Sequence, residues 1–148
     1  MIDQLSPRPG TVVFASTILI VFGSVLALFG VLLLIGGAML PSLRADPQFA
    51  AQLADVPDSF GTVLIVTGGV TALLGVGDIV TGGFALARRR WARIGAIGLG
   101  LVGALGALFT LPGASSTGFG LIVVGLALLG YVFAAWALAT NGAWFTGR

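Results

Sequence analysis

The 148-residue chain contains no cysteine, no histidine, no lysine and no glutamate. Without cysteine there is no disulfide framework and no thiolate nucleophile. Without cysteine and histidine there is no ordinary transition-metal site, and no cofactor is expected. Only 8% of the residues are charged and 57% are hydrophobic, against about 25% charged in soluble domains. The charges that remain are seven arginines and five aspartates. They do not form the basic stripe that a nucleic-acid surface requires, so no nucleic-acid partner is expected. Paired carboxylates, an activated nucleophile and a phosphate-cradling glycine loop are also missing, which argues against an enzyme. Arginine without lysine, beside abundant alanine and glycine, suggests a GC-rich bacterial genome.

What the chain has is apolar length. A helix needs about 20 apolar residues to cross the hydrocarbon core of a bilayer. Four stretches meet that need, over about 11–40, 61–87, 94–111 and 117–140, with one long loop at 41–60. The expected fold is all-α, a single integral membrane domain over 1–148 built as a four-helix bundle. The first stretch is too long for a signal-peptide core and follows Asp3, so it is read as a retained span.

With four spans, Arg8, Arg88, Arg89, Arg90, Arg93 and Arg148 fall on one side and Arg44 alone on the other. The positive-inside rule then places both termini and the "RRRWAR" turn in the cytoplasm of a bacterial inner (plasma) membrane. Arg88, Arg89, Arg90, Trp91 and Arg93 are expected to set topology or to meet lipid headgroups, with Trp91 and Trp144 in the interfacial belt. In the outer loop, "DPQFAAQLAD" carries an N-cap signature, Asp46 followed by Pro47. Phe49 and Leu53 share a face. This predicts a short amphipathic helix that ends near Pro57. Leu40-Pro41 and Leu111-Pro112 are expected to end spans one and three.

Glycine recurs at intervals of seven. Span two has Gly61, Gly68, Gly75 and Gly82; span one has Gly23, Gly30 and Gly37, with Ser16 one interval earlier. That period keeps small residues on one helix face, where two backbones can approach closely. Spans one and two are therefore expected to form a tight antiparallel hairpin. Span three carries a similar stripe at Ala96, Gly100, Gly103 and Ala107. Spans two and four share G-x-x-L-I-V-x-G followed by A-L-L-G, which suggests two repeated helix hairpins.

One acid interrupts the apolar runs. Asp78 sits in "TALLGVGDIVTGGF", ten residues from Arg88, or about 15 Å along a helix. Charged aspartate at mid-span costs about 2.5–3.5 kcal/mol, so intramembrane acids face protein. Thr67, Thr71, Leu74, Asp78 and Thr81 advance by alternating fours and threes, beside the glycine stripe. Matching depths from the cytoplasmic ends nominates Tyr131 of span four, and Ser16, Thr17 or Ser24 of span one, as hydrogen-bond partners. Asp78, Tyr131, Thr71, Thr81 and Ser24 thus form the candidate buried polar site. Either Asp78 fastens helices, or it is a protonatable site in a transport pathway.

"ALARRRWARIGAIGLGLVGALGALFTLPG" with the span after it resembles uncharacterised bacterial four-span integral membrane proteins. These carry an R-x-W-A-R turn before span three, here Arg89-Arg90-Trp91-Ala92-Arg93. The resemblance covers about 61–140. It implies the architecture and supplies no activity. The chain departs from the small multidrug exporters, whose essential acid is a glutamate in the first span. The function expected is that of an accessory, scaffold or assembly component. The alternative is a subunit of an oligomeric transporter or channel. The expected partners are the lipid bilayer and a second copy or another membrane protein.

Overall fold

A computed structural model describes residues 9–114 and 118–146, with backbone alone for 111–114 and 118–120. Arg8 and Arg148, and Thr117 at the start of the expected fourth span, lie outside the described residues. The fold is all-α. The elements are α1 (Gly10–Ala45), α2 (Pro47–Ala50), α3 (Phe60–Leu86), α4 (Arg90–Ala114), α5 (Gly118–Thr140) and α6 (Gly142–Thr146). Among the described residues four helices, α1, α3, α4 and α5, are long and apolar enough to cross a membrane. The chain is a small multi-pass membrane protein.

Two helices run past their expected ends. α1 continues through Pro41 to Ala45, and α4 continues through Pro112 to Ala114. Proline lacks the N–H that would reach the carbonyl four residues back. For Pro41 that carbonyl belongs to Gly37, and it points at Gly61 of α3, 3.3 Å from where a Cβ would stand. Close packing of α1 on α3 at this level supports the helix where that one bond is lost. α4 also begins earlier than expected, at Arg90 rather than 94.

The expected helix of the outer loop forms but ends earlier than Pro57. α2 is a single turn of four residues with none buried. Its start is as read: Asp46 Oδ1 accepts from the Gln48 amide at 2.9 Å, and Pro47 opens the turn. After Ala50 the chain passes into turns, with the Phe49 carbonyl taking both Gln52 N–H and Leu53 N–H. So short an element does not repay the cost of helix nucleation in further hydrogen bonds.

The chain divides into two compact units. One holds residues 1–22 and 77–148, the other residues 23–76. In the smaller unit, α1 and α3 lie antiparallel and meet at glycines. A Cβ at Gly68 would stand 2.7 Å from the Gly30 carbonyl oxygen, and one at Gly37 would stand 2.7 Å from the Gly61 carbonyl oxygen. A Cβ at Gly75 would strike Gly23 and Ala27. Backbone touches backbone at all three levels, so dispersion contacts form that lipid cannot replace. In the larger unit, α4 and α5 are antiparallel. Among the described side chains, the buried residues of α4 are Ala92, Ala96, Gly100 and Ala104, each four apart, so one narrow small-residue face meets α5.

Candidate buried polar site

Asp78 and Tyr131 are almost wholly buried, at 2% and 4% exposure. The Tyr131 hydroxyl donates to Asp78 Oδ2 at 2.8 Å. Both residues belong to the larger unit. Two neighbours, Gly103 and Phe22, fix the tyrosine ring, and Gly100 borders its backbone. A Cβ at Gly103 would stand 2.7 Å from Tyr131 Cζ and 2.8 Å from both Cε atoms, so the ring lies flat over bare backbone. The Gly100 position borders the Tyr131 carbonyl oxygen at 3.4 Å. On α1, the Phe22 ring packs against Tyr131 with centroids 5.6 Å apart and planes tilted by 57°. Phe22 reaches that place over Gly130, where a Cβ would strike its ring. One side-chain pair therefore ties α3 to α5, with α4 and the first half of α1 closing around it.

The other expected polar groups take different places. Thr81 is buried, but its hydroxyl donates back to the Gly77 carbonyl at 2.8 Å. Its methyl lies 3.1 Å from the Cβ position of Gly95. Thr71 and Ser24 belong to the smaller unit, where each is half-buried. Thr67 is exposed, so the polar stripe on α3 does not extend that far. Thr17 is exposed and donates to the Val13 carbonyl at 2.9 Å. Ser16 is fully buried, and its carbonyl oxygen lies 3.0 Å from the Cβ position of Gly82. Ser16 Oγ and Asp78 Oδ1 are buried atoms with no hydrogen-bond partner. Each such group costs about 1–3 kcal/mol. Among the described residues no three Asp, Glu, His or Cys side chains gather where a metal ion could be held.

The arginine turn divides into two kinds of side chain. Arg89, Arg90 and Trp91 are exposed. Arg88 and Arg93 turn onto the protein. Arg93 Nε donates to the Leu138 carbonyl at 2.8 Å and Nη2 to the Ala139 carbonyl at 2.7 Å. These are among the last carbonyls of α5, which have no donor within the helix. A cation there also meets the negative end of the helix dipole. Arg93 fits because Gly142, whose Cβ would stand 2.9 Å from Nη2, leaves room. Arg93→Ala is expected to cost about 1.5–3 kcal/mol. Arg93→Lys should recover only part, since one ammonium cannot present the same planar fork. Thermal unfolding in a mild detergent measures both.

Arg88 ends α3 in a left-handed conformation, φ 59°. The Arg89 amide reaches the Phe84 carbonyl at 3.2 Å and the Arg88 amide reaches Ala85 at 3.1 Å. This is the Schellman pattern, with arginine where glycine is usual. The side chain compensates: Nε donates to the Trp144 carbonyl at 3.1 Å, and the guanidinium lies 5.0 Å from the Trp144 ring centroid. Arg88→Gly should lose those contacts but relieve the backbone. Arg88→Ala should lose them and keep the strain, so alanine should be the less stable by about 1 kcal/mol in the same unfolding experiment.

Trp144 faces protein: it is 7% exposed and packs edge-on against Phe145, with centroids 4.9 Å apart. Residues 142–146 form α6, a short apolar plug under Arg88 and Arg93. Sequence reasoning missed this plug. Its signal was the apolar "AWF" directly after the helix stop at Asn141-Gly142. Asn141 ties that stop to α1 by donating to Thr11 Oγ1 at 3.1 Å.

Comparison with family models, curated proteins and solved structures finds no match for this chain, so the site's geometry is the ground for a functional reading.

Proposed function

We propose that this small multi-pass membrane protein is an accessory or assembly component that works through helix packing and carries out no catalysis of its own. The observation that carries this reading is the Tyr131–Asp78 hydrogen bond over Gly103. The acid of the apolar spans is engaged in joining helices. Such a bond contributes about 0.6–1.7 kcal/mol inside a membrane. The positive-inside rule adds an orientation, with both termini and the Arg88–Arg93 turn in the cytoplasm of a bacterial inner membrane. The resemblance to four-span proteins with an R-x-W-A-R turn belongs to the same proposal. A second copy or another membrane protein is the partner expected.

Asp78 Oδ1 favours a second reading. A buried carboxylate oxygen without a partner suits a protonatable site in an oligomeric transporter or channel. Extraction from native membranes into lipid nanodiscs, followed by mass measurement and identification of associated chains, tests the first reading. A stoichiometric complex without pH-dependent ion flux after reconstitution supports it. An assembly that carries pH-dependent ion flux after reconstitution overturns it.

A further inference from the structure

In the smaller unit an open groove of ≈ 370 Å³ lies between the C-terminal end of α1 and the N-terminal end of α3. Gly37 and Gly61, where the two helices touch, line it together with larger side chains. Leu40 and Ile65 make the lining apolar, and Arg44 with Asp58 makes it charged. Arg44 and Asp58 are the first charges met on leaving the apolar lengths of α1 and α3 at this end. A helix of 36 residues is about 54 Å long, well beyond a hydrocarbon core of about 30 Å. The charged pair thus closes the apolar lengths of both helices, with the apolar lining beside it.

The pair does not offer both of its charges to a ligand. Arg44 is three-quarters buried, its side chain 25% exposed. Its Nη1 donates to Asp58 Oδ1, and its Nη2 donates to the Val56 and Pro57 carbonyls at 2.6 and 2.8 Å. The Asp58 side chain is fully exposed, and a carboxylate can accept several more hydrogen bonds. The open charge at the groove is thus the carboxylate. It suits a cationic donor, and an anionic head would meet it unfavourably. A volume of this size lies at the lower end of small-molecule pockets, roughly 300–1,000 Å³. It accommodates a head group and the top of one chain.

We propose that this groove seats a bilayer phospholipid with an ammonium head, the ammonium on Asp58 and the first part of an acyl chain against Leu40 and Ile65. Native mass spectrometry of the full chain in mild detergent tests this, with phosphatidylethanolamine, phosphatidylglycerol and soluble dodecyltrimethylammonium as probes. The ethanolamine lipid should be retained about threefold to fivefold over the glycerol lipid, the scale of an exposed ion pair. Asp58→Asn should abolish that preference while Arg44 keeps its two carbonyl bonds. Thr62→Trp, at an exposed position lining the groove, should reduce retention of the ethanolamine lipid without touching the charges. Equal retention of the two lipids by the unmodified chain overturns the proposal. So does unchanged preference in Asp58→Asn, unchanged retention in Thr62→Trp, or capture of dodecyltrimethylammonium without the phospholipid.

Discussion

Gly68→Ala is expected to destabilise the α1–α3 hairpin by about 1–3 kcal/mol, the cost of forcing one extra carbon into a filled space. The adjacent change, Gly69→Ala, should be neutral or slightly stabilising. The contrast follows from what each new Cβ would meet. At Gly68 it meets the Gly30 carbonyl oxygen at 2.7 Å and the Leu34 amide at 2.8 Å. Both are backbone, so no side chain can rotate away and the helices must part. At Gly69 nothing lies within 4 Å, and alanine gains up to about 1 kcal/mol of helix propensity over glycine. Parting at Gly68 also weakens the neighbouring contacts at Gly37–Gly61 and Gly23–Gly75. Gly30→Ala meets the same contact from the other side, so Gly30→Ala with Gly68→Ala should cost less than the sum of the two. Denaturant titration of the chain in mixed micelles compares the variants. Equal stability of Gly68→Ala and Gly69→Ala would show that the two backbones do not touch there.

The second large effect is expected at the buried pair. Tyr131→Phe removes the donor to Asp78 and leaves both carboxylate oxygens buried without a partner. The cost should be about 1–3 kcal/mol. Asp78→Asn keeps an acceptor for the tyrosine at nearly the same volume and should cost least. Asp78→Ala opens a void and orphans the tyrosine hydroxyl, so it should cost most. A double-mutant cycle between Asp78→Ala and Tyr131→Phe should give a coupling of about 0.5–3 kcal/mol. Gly103→Ala reaches the same bond by a different route, because its methyl displaces the ring that carries the hydroxyl. Gly106→Ala, with nothing within 4 Å, is the matched control on the same helix.

These sites differ in how far the sequence foretold them. The four spans follow from apolar length alone. The seven-residue glycine interval places Gly30 beside Gly68 and Gly37 beside Gly61, because a fixed period in two antiparallel helices leaves few registers. Tyr131 was reachable by counting depth from the helix ends, since each partner lies on an unbroken helix and the chain has one tyrosine. The ring's seat on Gly103 was not reachable that way. It depends on the rotation of α4 about its axis, which a chain rich in small residues on several faces does not reveal. Arg88 and Arg93 were read as topology signals because charge at a span end is expected whatever it touches. Their inward turn depends on where α5 stops and on α6 folding back beneath the arginines, both tertiary facts. The same holds for Pro41: whether a proline ends a helix depends on the packing around it.

The role proposed for Asp78 is to fasten helices, without exchanging a proton with a pathway. The most direct measurement is pH-driven ion flux in vesicles reconstituted with the unmodified chain and with Asp78→Asn, each checked for the same assembled mass. Flux and mass should be equal in the two, since asparagine keeps the bond to Tyr131. A pH-dependent flux in the unmodified chain that vanishes in Asp78→Asn at unchanged mass would contradict that role.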